Sequence, residues 1–281
     1  MKRQSTPQDS VASYYSRIGS RLGYKLFLGR SQHFGFYDKQ HTNEPAAQQN
    51  YHEHFAALLE LSPEMRLLDA GCGQGVVATY LAKNFDVDVT GITITPYEVG
   101  SAERLAQKLG VGSTTHFQLA DYAAPPFKAA SFDRIYTTET LSHAVDVQAV
   151  LKHFYRLLKP GGKLVCAEYE FNYDKFGDAR RQAAEFVKDY AAIHGIYQFA
   201  PDQFPVRLKT EGFTSVSELD WTDHVMPSFK RLEKLARPIA NFASYTKLER
   251  YFVNSVSARM YGDAVARGAF RYKVYQAYKP N

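Results

Sequence analysis

The chain has 281 residues, of which 45% are hydrophobic and 22% charged, and its formal net charge is +5. These values are ordinary for a globular protein and exclude a disordered or low-complexity chain. The sequence shows no apolar run as long as a membrane span and no secretory signal, and its two cysteines lie far apart. We therefore expect a cytoplasmic protein without a transmembrane segment, a disulfide framework or a metal site.

The first 60 residues predict a helical lid, which an aromatic-rich segment interrupts at residues 24–38. From residue 66 short apolar runs alternate with helical patterns, which is typical of βαβ units. Strands are predicted at residues 66–69, 87–92, 114–119, 132–137, 163–170, 213–221 and 269–278. Helices are predicted at residues 76–84, 98–109, 146–158 and 179–195.

This order of elements predicts the α/β class, with a doubly wound, mostly parallel sheet of seven strands and Rossmann-like topology. The N-terminal lid then covers residues 1–60, and the main domain covers residues 61–281. Residues 222–268, before the last strand, combine helical spacing with many aromatic side chains. We expect them to form a helical cap insertion that contributes to substrate binding.

A glycine-rich turn follows the first predicted strand in the run LLDAGCGQG, residues 67–75. Its glycines let the backbone turn sharply and approach a ligand, and the following helix offers unpaired N–H groups. The third glycine comes one residue earlier than in the GxGxxG pattern of dinucleotide sites. Asp69 within the run would repel a pyrophosphate but attract an ammonium group. The turn therefore favours the methionine part of S-adenosylmethionine over NAD.

The same run resembles motif I of the class I methyltransferases. Three further motifs follow in order: Asp121-Tyr122, FDRIYTTETLSH at residues 132–143 and LLKPGGKL at residues 157–164. The resemblance implies a methyltransferase that uses S-adenosyl-L-methionine, with Asp121 at the adenine amino group. The expected cofactor contacts are Asp69, Gly71, Cys72, Gly73, Gly75, Thr93, Ile94, Thr95, Asp121, Tyr122, Glu139 and Tyr15.

One position departs from the motif pattern. Many members of the class carry an acid at the end of the second strand, where it binds both ribose hydroxyls. Thr93 stands there in this chain, and a threonine cannot hold both hydroxyls as a carboxylate does. We expect backbone groups near Ile94, or Thr95, to take over the ribose contacts.

Two segments are similar to the sterol C24-methyltransferase, γ-tocopherol methyltransferase and terpenoid methyltransferase group. They are SQHFGFY at residues 31–37 and TETLSHA at residues 138–144. The pair Tyr14-Tyr15 also resembles this group. The resemblance implies a small, largely apolar acceptor of isoprenoid, terpenoid or sterol-like type. Methylation at carbon is favoured over methylation at oxygen or nitrogen.

Candidate bases stand near the carboxyl ends of the fourth and fifth strands, where open α/β sheets place their ligands. Glu139 and His143 follow the fourth strand, and alternation places Glu168 and Glu170 on one face of the fifth. All four are candidate catalytic residues, and the alternative for each is a structural hydrogen bond or salt bridge. The candidate substrate-binding residues, which are alternatively plain core, are His33, Phe36, Tyr197, Phe199, Trp221 and Phe229.

Several other functions stay open at this point. One is O- or N-methylation of a small aromatic metabolite, and another is C-methylation of a prenyl diphosphate with magnesium, whose phosphates would meet the basic C-terminal part. A non-enzymatic binder, a cofactor-dependent cyclase on the same fold and an NAD oxidoreductase are further alternatives. Basic residues are spread out without a dense run, so no nucleic-acid partner is expected. A homo-oligomer is left open.

Overall fold

The structure is a computed structural model that describes residue 29, residues 31–175 and residues 198–281. Its strands are β1 (Arg66–Ala70), β2 (Asp88–Thr93), β3 (Thr115–Leu119), β4 (Phe132–Thr138), β5 (Leu158–Phe171), β6 (Thr214–Asp220) and β7 (Phe270–Tyr278). Its α-helices in the described residues are α1 (Glu44–Leu59), α2 (Val76–Phe85), α3 (Pro96–Leu109), α4 (Val147–Leu157), α5 (Gln203–Thr210), α6 (Thr222–Thr246) and α7 (Val253–Ala266). The helix predicted at residues 179–195 lies outside the described residues.

The strands form one sheet in the order β3-β2-β1-β4-β5-β7-β6. Neighbours from β3 to β5 are parallel, whereas β7 runs antiparallel to both β5 and β6. This confirms the predicted doubly wound, mostly parallel, seven-stranded sheet. The strand order reverses at β1, because β2 and β4 lie on its two sides, and such a switch point opens a crevice at the carboxyl ends of the strands.

Helices cover both faces of the sheet. On one face Phe55 of α1, Leu81 of α2 and Val225 of α6 belong to a single buried cluster with side chains of β1, β2, β5 and β7. On the other face Phe154 of α4 and Phe204 of α5 pack with the opposite side chains of the strands. Apolar residues on both faces explain why the central strands read as nearly continuous hydrophobic runs.

Two elements differ from the sequence prediction. Strand β5 begins directly after α4, at Leu158, which is earlier than predicted. Gly161 N–H donates to Lys279 O, and Lys279 N–H donates to Gly162 O. These two bonds extend the pairing of β5 with the chain after β7 through the Pro-Gly turn. Helix α5 was not predicted from the sequence, and it contains Pro205. The proline lies in the first turn, where its missing N–H leaves no helical hydrogen bond unmade.

The segment between β6 and β7 is helical, as the sequence predicts. It consists of α6, a 3₁₀ turn at Glu249–Tyr251 and α7. Helix α6 buries Val225, Phe229, Ala236 and Ala240, whose spacing places them along one side of the helix. This side of the helix packs against side chains of β5 and β7 and against Phe34 and Phe36.

Candidate active site

A pocket opens at the carboxyl ends of β1, β2 and β4, where the strand order reverses, and it encloses about 810 Å³ that includes space open to solvent. Three segments frame it: the glycine turn after β1, the end of β2 and the turn after β4. Residues 31–33 close it from the N-terminal side. The lining residues that the sequence singled out are His33, Asp69, Gly71, Cys72, Gly73, Thr93, Ile94, Thr95, Tyr122, Glu139 and His143.

The glycine turn is shaped by close neighbours as well as by backbone freedom. Gly71 has φ +97°, and a Cβ atom there would lie 2.2 Å from Thr140 Oγ1. Gly75 has φ +76°, and a Cβ atom there would lie 2.7 Å from the Cβ of Ala102 in α3. Gly75 does not line the pocket, so its role is to let α2 start close to α3. Gly71 brings the turn close to the chain after β4.

Asp69 is the last residue but one of β1 and lines the pocket. Its side chain is 3% exposed, and Tyr136 donates a hydrogen bond to Asp69 Oδ2 at 3.0 Å. Burial raises the pKa of Asp69 to about 7, although the Tyr136 hydrogen bond opposes the rise. A cationic group beside this carboxyl would favour its ionised form.

An acid that the motif pattern does not include, Glu98 in the first turn of α3, lies beside the end of β2. Thr93 donates its hydroxyl to Glu98 Oε2 at 2.7 Å, and Thr95 N–H donates to Thr93 Oγ1 at 3.2 Å. Glu98 is 5% exposed, lines the pocket and has its pKa raised by burial. The sequence analysis did not single out Glu98, although its place in the first turn of the helix that follows β2 could have indicated it.

The predicted adenine position lies beside the main pocket. Tyr122 lines the pocket and donates its hydroxyl to Thr140 O at 3.0 Å. Asp121 lines an adjoining hollow together with Ile94 and His143, both of which also line the main pocket. Asp121 Oδ1 accepts the N–H of Ala123 at 2.8 Å, which leaves acceptor capacity on the carboxylate.

Glu139 lines the pocket and accepts three hydrogen bonds. Its Oε1 accepts the N–H of Phe34 and the hydroxyl of Tyr272, each at 3.0 Å, and its Oε2 accepts the hydroxyl of Tyr169. Its φ of +56° is in the left-handed region, which costs a side chain roughly 1–2 kcal/mol. Burial raises the pKa of Glu139 to about 7, and the three donors oppose the rise.

The four candidate bases divide into two pairs. Glu139 and His143 line the pocket, His143 from the 3₁₀ turn at Leu141–His143. Glu168 does not line the pocket. Its fully buried carboxyl accepts the N–H groups of Thr140 and Leu141 at 3.0 and 2.7 Å and so stabilises the backbone at the start of the 3₁₀ turn. Burial raises the pKa of Glu168 to about 8.

Glu170 also lies away from the pocket. Its neighbours are the hydroxyl of Tyr275, 3.5 Å from Oε2, and the guanidinium of Arg271, 3.8 Å from Oε1. Burial raises its pKa. These contacts correspond to the structural alternative that the sequence left open for Glu168 and Glu170.

The candidate substrate-binding residues are found in three places. His33 lines the pocket; its Nδ1 lies 2.8 Å from Phe34 O and its Nε2 lies 2.9 Å from Nε2 of His52, and burial lowers its pKa to about 4. Phe229 packs against Phe34, with ring centroids 5.4 Å apart. Buried packing positions outside the pocket lining are held by Phe36, Trp221 and Phe199. Tyr15 and Tyr197 lie outside the described residues.

Residues 31–175 and 198–281 contain no group of three or more His, Cys, Asp or Glu side chains that could hold a metal ion. The helices of the same ranges include none that is long and apolar enough to cross a membrane.

Comparison with known proteins agrees with this geometry. Residues 68–166 match the Methyltransferase domain family. The O-methyltransferase cnsE of Penicillium expansum is 32% identical over 81% of this chain and 80% of its own length. The S-adenosyl-L-methionine-dependent Diels-Alderase iccD of Talaromyces variabilis is 28% identical over 99% of this chain and 97% of its own length.

Among solved structures, the [4+2]-cyclase SpnF superposes with a TM-score of 0.76 at 21% identity, over 98% of this chain and 96% of that chain, and this likeness shows the fold alone. The similarity to cnsE extends over four fifths of each chain and goes well beyond the motif region. The cofactor that the glycine turn and the motifs predict is S-adenosylmethionine. The chain belongs to the class I S-adenosylmethionine-dependent methyltransferases.

Proposed function

We propose that the enzyme methylates a small, largely apolar metabolite at carbon, with an isoprenoid or sterol-like molecule as acceptor. The observation that carries this proposal is the position of Glu139. It lines the pocket, and two of its three hydrogen-bond donors are the phenol hydroxyls of Tyr169 and Tyr272. In this proposal Glu139 receives the proton of the acceptor, and the side chains packed around it are largely aromatic.

The described residues fit the cofactor. Asp69 would pair with the ammonium group of the methionine part, and the turn at Gly71 has no room for a side chain. Glu98 would bind the ribose hydroxyls in place of the missing acid at Thr93. Asp121, in the adjoining hollow, would accept from the adenine amino group. Bound in this way, the cofactor supplies an electrophilic methyl group on a sulfonium.

An apolar acceptor is supported by the aromatic cluster beside Glu139, which consists of Phe34, Tyr169, Phe229 and Phe270. Its ring centroids lie 5.2–6.2 Å apart in neighbouring pairs, and the three phenylalanines are at most 4% exposed. Methylation of an alkene leaves a carbocation, which aromatic faces and a nearby carboxylate stabilise. The same carboxylate then accepts a proton, and the alkene re-forms.

Methylation at oxygen or nitrogen needs the same kind of base and is the alternative acceptor chemistry. In that case Glu139 or His143 takes the proton of a phenol or an amine as the new bond forms. A prenyl diphosphate acceptor is a further alternative, in which one or two carboxylates would hold magnesium together with the phosphates. We keep the uncharged acceptor as the proposal because the side chains packed around Glu139 are largely aromatic.

A second candidate function is a cyclisation that retains the cofactor without using its methyl group. It is favoured by the relative iccD, a Diels-Alderase that this chain matches over 99% of its length. A cycloaddition transfers no proton, so it depends on a shaped pocket and on hydrogen bonds to the substrate. The aromatic cluster and the phenols around Glu139 would serve this reaction as well.

The deciding experiment follows the fate of the methyl group. The purified enzyme is incubated with S-adenosylmethionine and a panel of acceptors: an isoprenoid alkene, a sterol, a phenol and a linear polyene carrying a dienophile. We expect an alkene product heavier by one CH₂ group, formed together with an equal amount of S-adenosylhomocysteine. An isomer of unchanged mass from the polyene, with no S-adenosylhomocysteine from any acceptor, would establish the cyclase instead. Methylated phenol alone would move the acceptor atom to oxygen.

A further inference from the structure

The carboxyl group of Glu139 is held by donors from three separate parts of the chain. They are the N–H of Phe34 in the N-terminal segment, the hydroxyl of Tyr169 in β5 and the hydroxyl of Tyr272 in β7. Strands β5 and β7 are adjacent and antiparallel, and Tyr169 is paired directly with Tyr272 in their register. Two neighbouring strands thus present two phenols to one carboxylate.

The number of these donors matters for the acid. A carboxylate has about four acceptor positions, and three are occupied here, so one remains for a group in the pocket. Hydrogen bonds that are donated to a carboxylate stabilise its ionised form, which burial alone would disfavour. The phenols therefore act in the opposite direction to the enclosed environment of Glu139.

A second layer lies behind one of the phenols. The hydroxyl oxygens of Tyr51 and Tyr272 are 3.2 Å apart, and Tyr51 is fully buried in α1. Because a carboxylate only accepts, the single hydroxyl hydrogen of Tyr272 is directed to Glu139, and Tyr51 must donate to the oxygen of Tyr272. This chain from Tyr51 through Tyr272 to Glu139 fixes the direction of the hydrogen bonds.

We infer that Tyr169 and Tyr272 are positioning residues that favour the ionised form of Glu139 and direct its remaining lone pair into the pocket, with Tyr51 orienting Tyr272. The inference rests on the proposed function, in which Glu139 receives the proton of the acceptor. In that step the acceptor's C–H bond breaks, its electron pair re-forms the alkene, and the proton moves to Glu139. The phenols keep their own protons and later let the carboxyl release this proton to solvent.

Other titratable groups also face Glu139. Glu44 and Tyr51 lie on α1, Glu168 lies on β5, and His143 lines the same pocket from the turn after β4. Glu44 raises the pKa of Glu139, an effect smaller than that of burial and opposite to that of the hydroxyls of Tyr169 and Tyr272. These groups stay in place when a single hydroxyl is removed, so they form a constant background for the test.

The test measures the ionisation of Glu139 directly. The full-length protein is labelled with ¹³C at the side-chain carboxyl of glutamate, and the Glu139 signal is assigned by its loss in Glu139→Gln. We expect its midpoint in the unvaried protein to lie near 7. In Tyr272→Phe and in Tyr169→Phe we expect it to rise by about one pH unit, because each removes one hydrogen bond to a charged group. Tyr51→Phe should give a smaller rise.

Tyr275→Phe is the matched control, since it removes a buried hydroxyl from the same strand, β7, beside Glu170 instead of Glu139. Thermal denaturation and S-adenosylhomocysteine affinity of each variant show that it is folded. Unchanged midpoints in both folded variants, Tyr169→Phe and Tyr272→Phe, would overturn the inference. A different result would contradict the proposed function alone: Glu139→Gln methylates its acceptor at the rate of the unvaried enzyme, while the midpoint of Glu139 still rises in Tyr169→Phe and Tyr272→Phe.

Discussion

Thr93 and Glu98 form a buried pair at the mouth of the crevice: the hydroxyl of Thr93 donates to Glu98 Oε2 over 2.7 Å. The strand end where an acid was expected therefore carries a threonine that positions an acid from the next helix. Gln32 and Thr95 also hydrogen-bond to Glu98, which lines the pocket. Glu98 is therefore a candidate for the ribose contacts that a single strand-end acid makes in the usual motif.

This pair predicts that Glu98 binds the ribose of the cofactor. Glu98→Ala should weaken the binding of S-adenosylhomocysteine by about tenfold to a hundredfold, because hydrogen bonds to a charged group contribute about 1.5–3 kcal/mol. Isothermal titration calorimetry measures the change. Glu103→Ala is the control, since Glu103 is an exposed acid of the same helix and lies outside the cofactor pocket. Equal affinities of the two variants would contradict the assignment.

The fold was predictable because its signals are local. The alternation of short apolar runs and helical patterns gave the strands, and the glycine spacing gave the ligand end of the sheet. Alternation also placed Glu168 and Glu170 on one face of β5. Which face points to the pocket depends on how β5 packs against α4 and α5, and no local pattern contains that information. Two of the four candidate catalytic acids, Glu168 and Glu170, therefore lie outside the pocket lining.

The hydrogen-bond partners of Glu139 were not predictable for a related reason. Phe34 and Tyr272 are 105 and 133 residues away from Glu139 in the sequence. Their meeting requires the N-terminal segment and the last strand to converge above β4. The sequence identified Glu139 by its place after a strand, but only the three-dimensional arrangement shows that its carboxyl is enclosed by donors.

The turn after β1 should tolerate no side chain at Gly71, and Gly110 offers a matched comparison. Both have positive φ, +97° and +75°, but a Cβ atom at Gly110 has no neighbour within 4 Å whereas one at Gly71 overlaps Thr140. Gly110→Ala should lower the free energy of unfolding by about 1–2 kcal/mol through its backbone conformation. Gly71→Ala should cost about 1–3 kcal/mol more because of the overlap. Urea denaturation compares them, and equal losses would argue against this packing.

We predict that Glu168 is a structural residue and that its contribution to the free energy of unfolding depends on pH. Its pKa of about 8 in the folded protein lies above the ordinary value of 4.5, so the folded state keeps a proton that the unfolded chain loses. Its contribution to stability therefore falls as the pH rises from about 4.5 to 8. Glu168→Gln cannot ionise, and its oxygen still accepts the N–H groups of Thr140 and Leu141. This variant should gain stability relative to the unvaried protein between pH 5 and pH 8.

Two further observations separate this role from catalysis. Glu168→Ala leaves the two backbone N–H groups of the turn without their acceptor, so it should be destabilised by about 2 kcal/mol or more at every pH. Glu168→Gln should keep its methylation rate. Denaturation at pH 5, 6, 7 and 8 gives the first result and a rate assay the second. A Glu168→Gln enzyme that is fully folded but inactive would restore Glu168 as a catalytic candidate.

Cofactor binding should release a proton from Asp69. In the protein without cofactor, burial holds the pKa of Asp69 at about 7, so about half of the molecules carry this proton at pH 7. The ammonium group of the methionine part lowers the pKa when it binds beside the carboxylate. Calorimetry in two buffers of different ionisation enthalpy should thus detect a fraction of a proton released near pH 7, falling to none well above it, where Asp69 is already ionised.

The source of that proton can be identified because other carboxyls of the pocket have raised pKa values as well. Asp69→Asn should abolish the release and weaken binding, whereas Glu139→Gln should leave the release unchanged, because in the proposed function Glu139 serves the acceptor and not the ammonium group. If Asp69→Asn bound S-adenosylhomocysteine with full affinity and the same proton release, the ammonium group would not lie at Asp69. The glycine turn would then bind the carboxylate end of the ligand alone, through its backbone N–H groups.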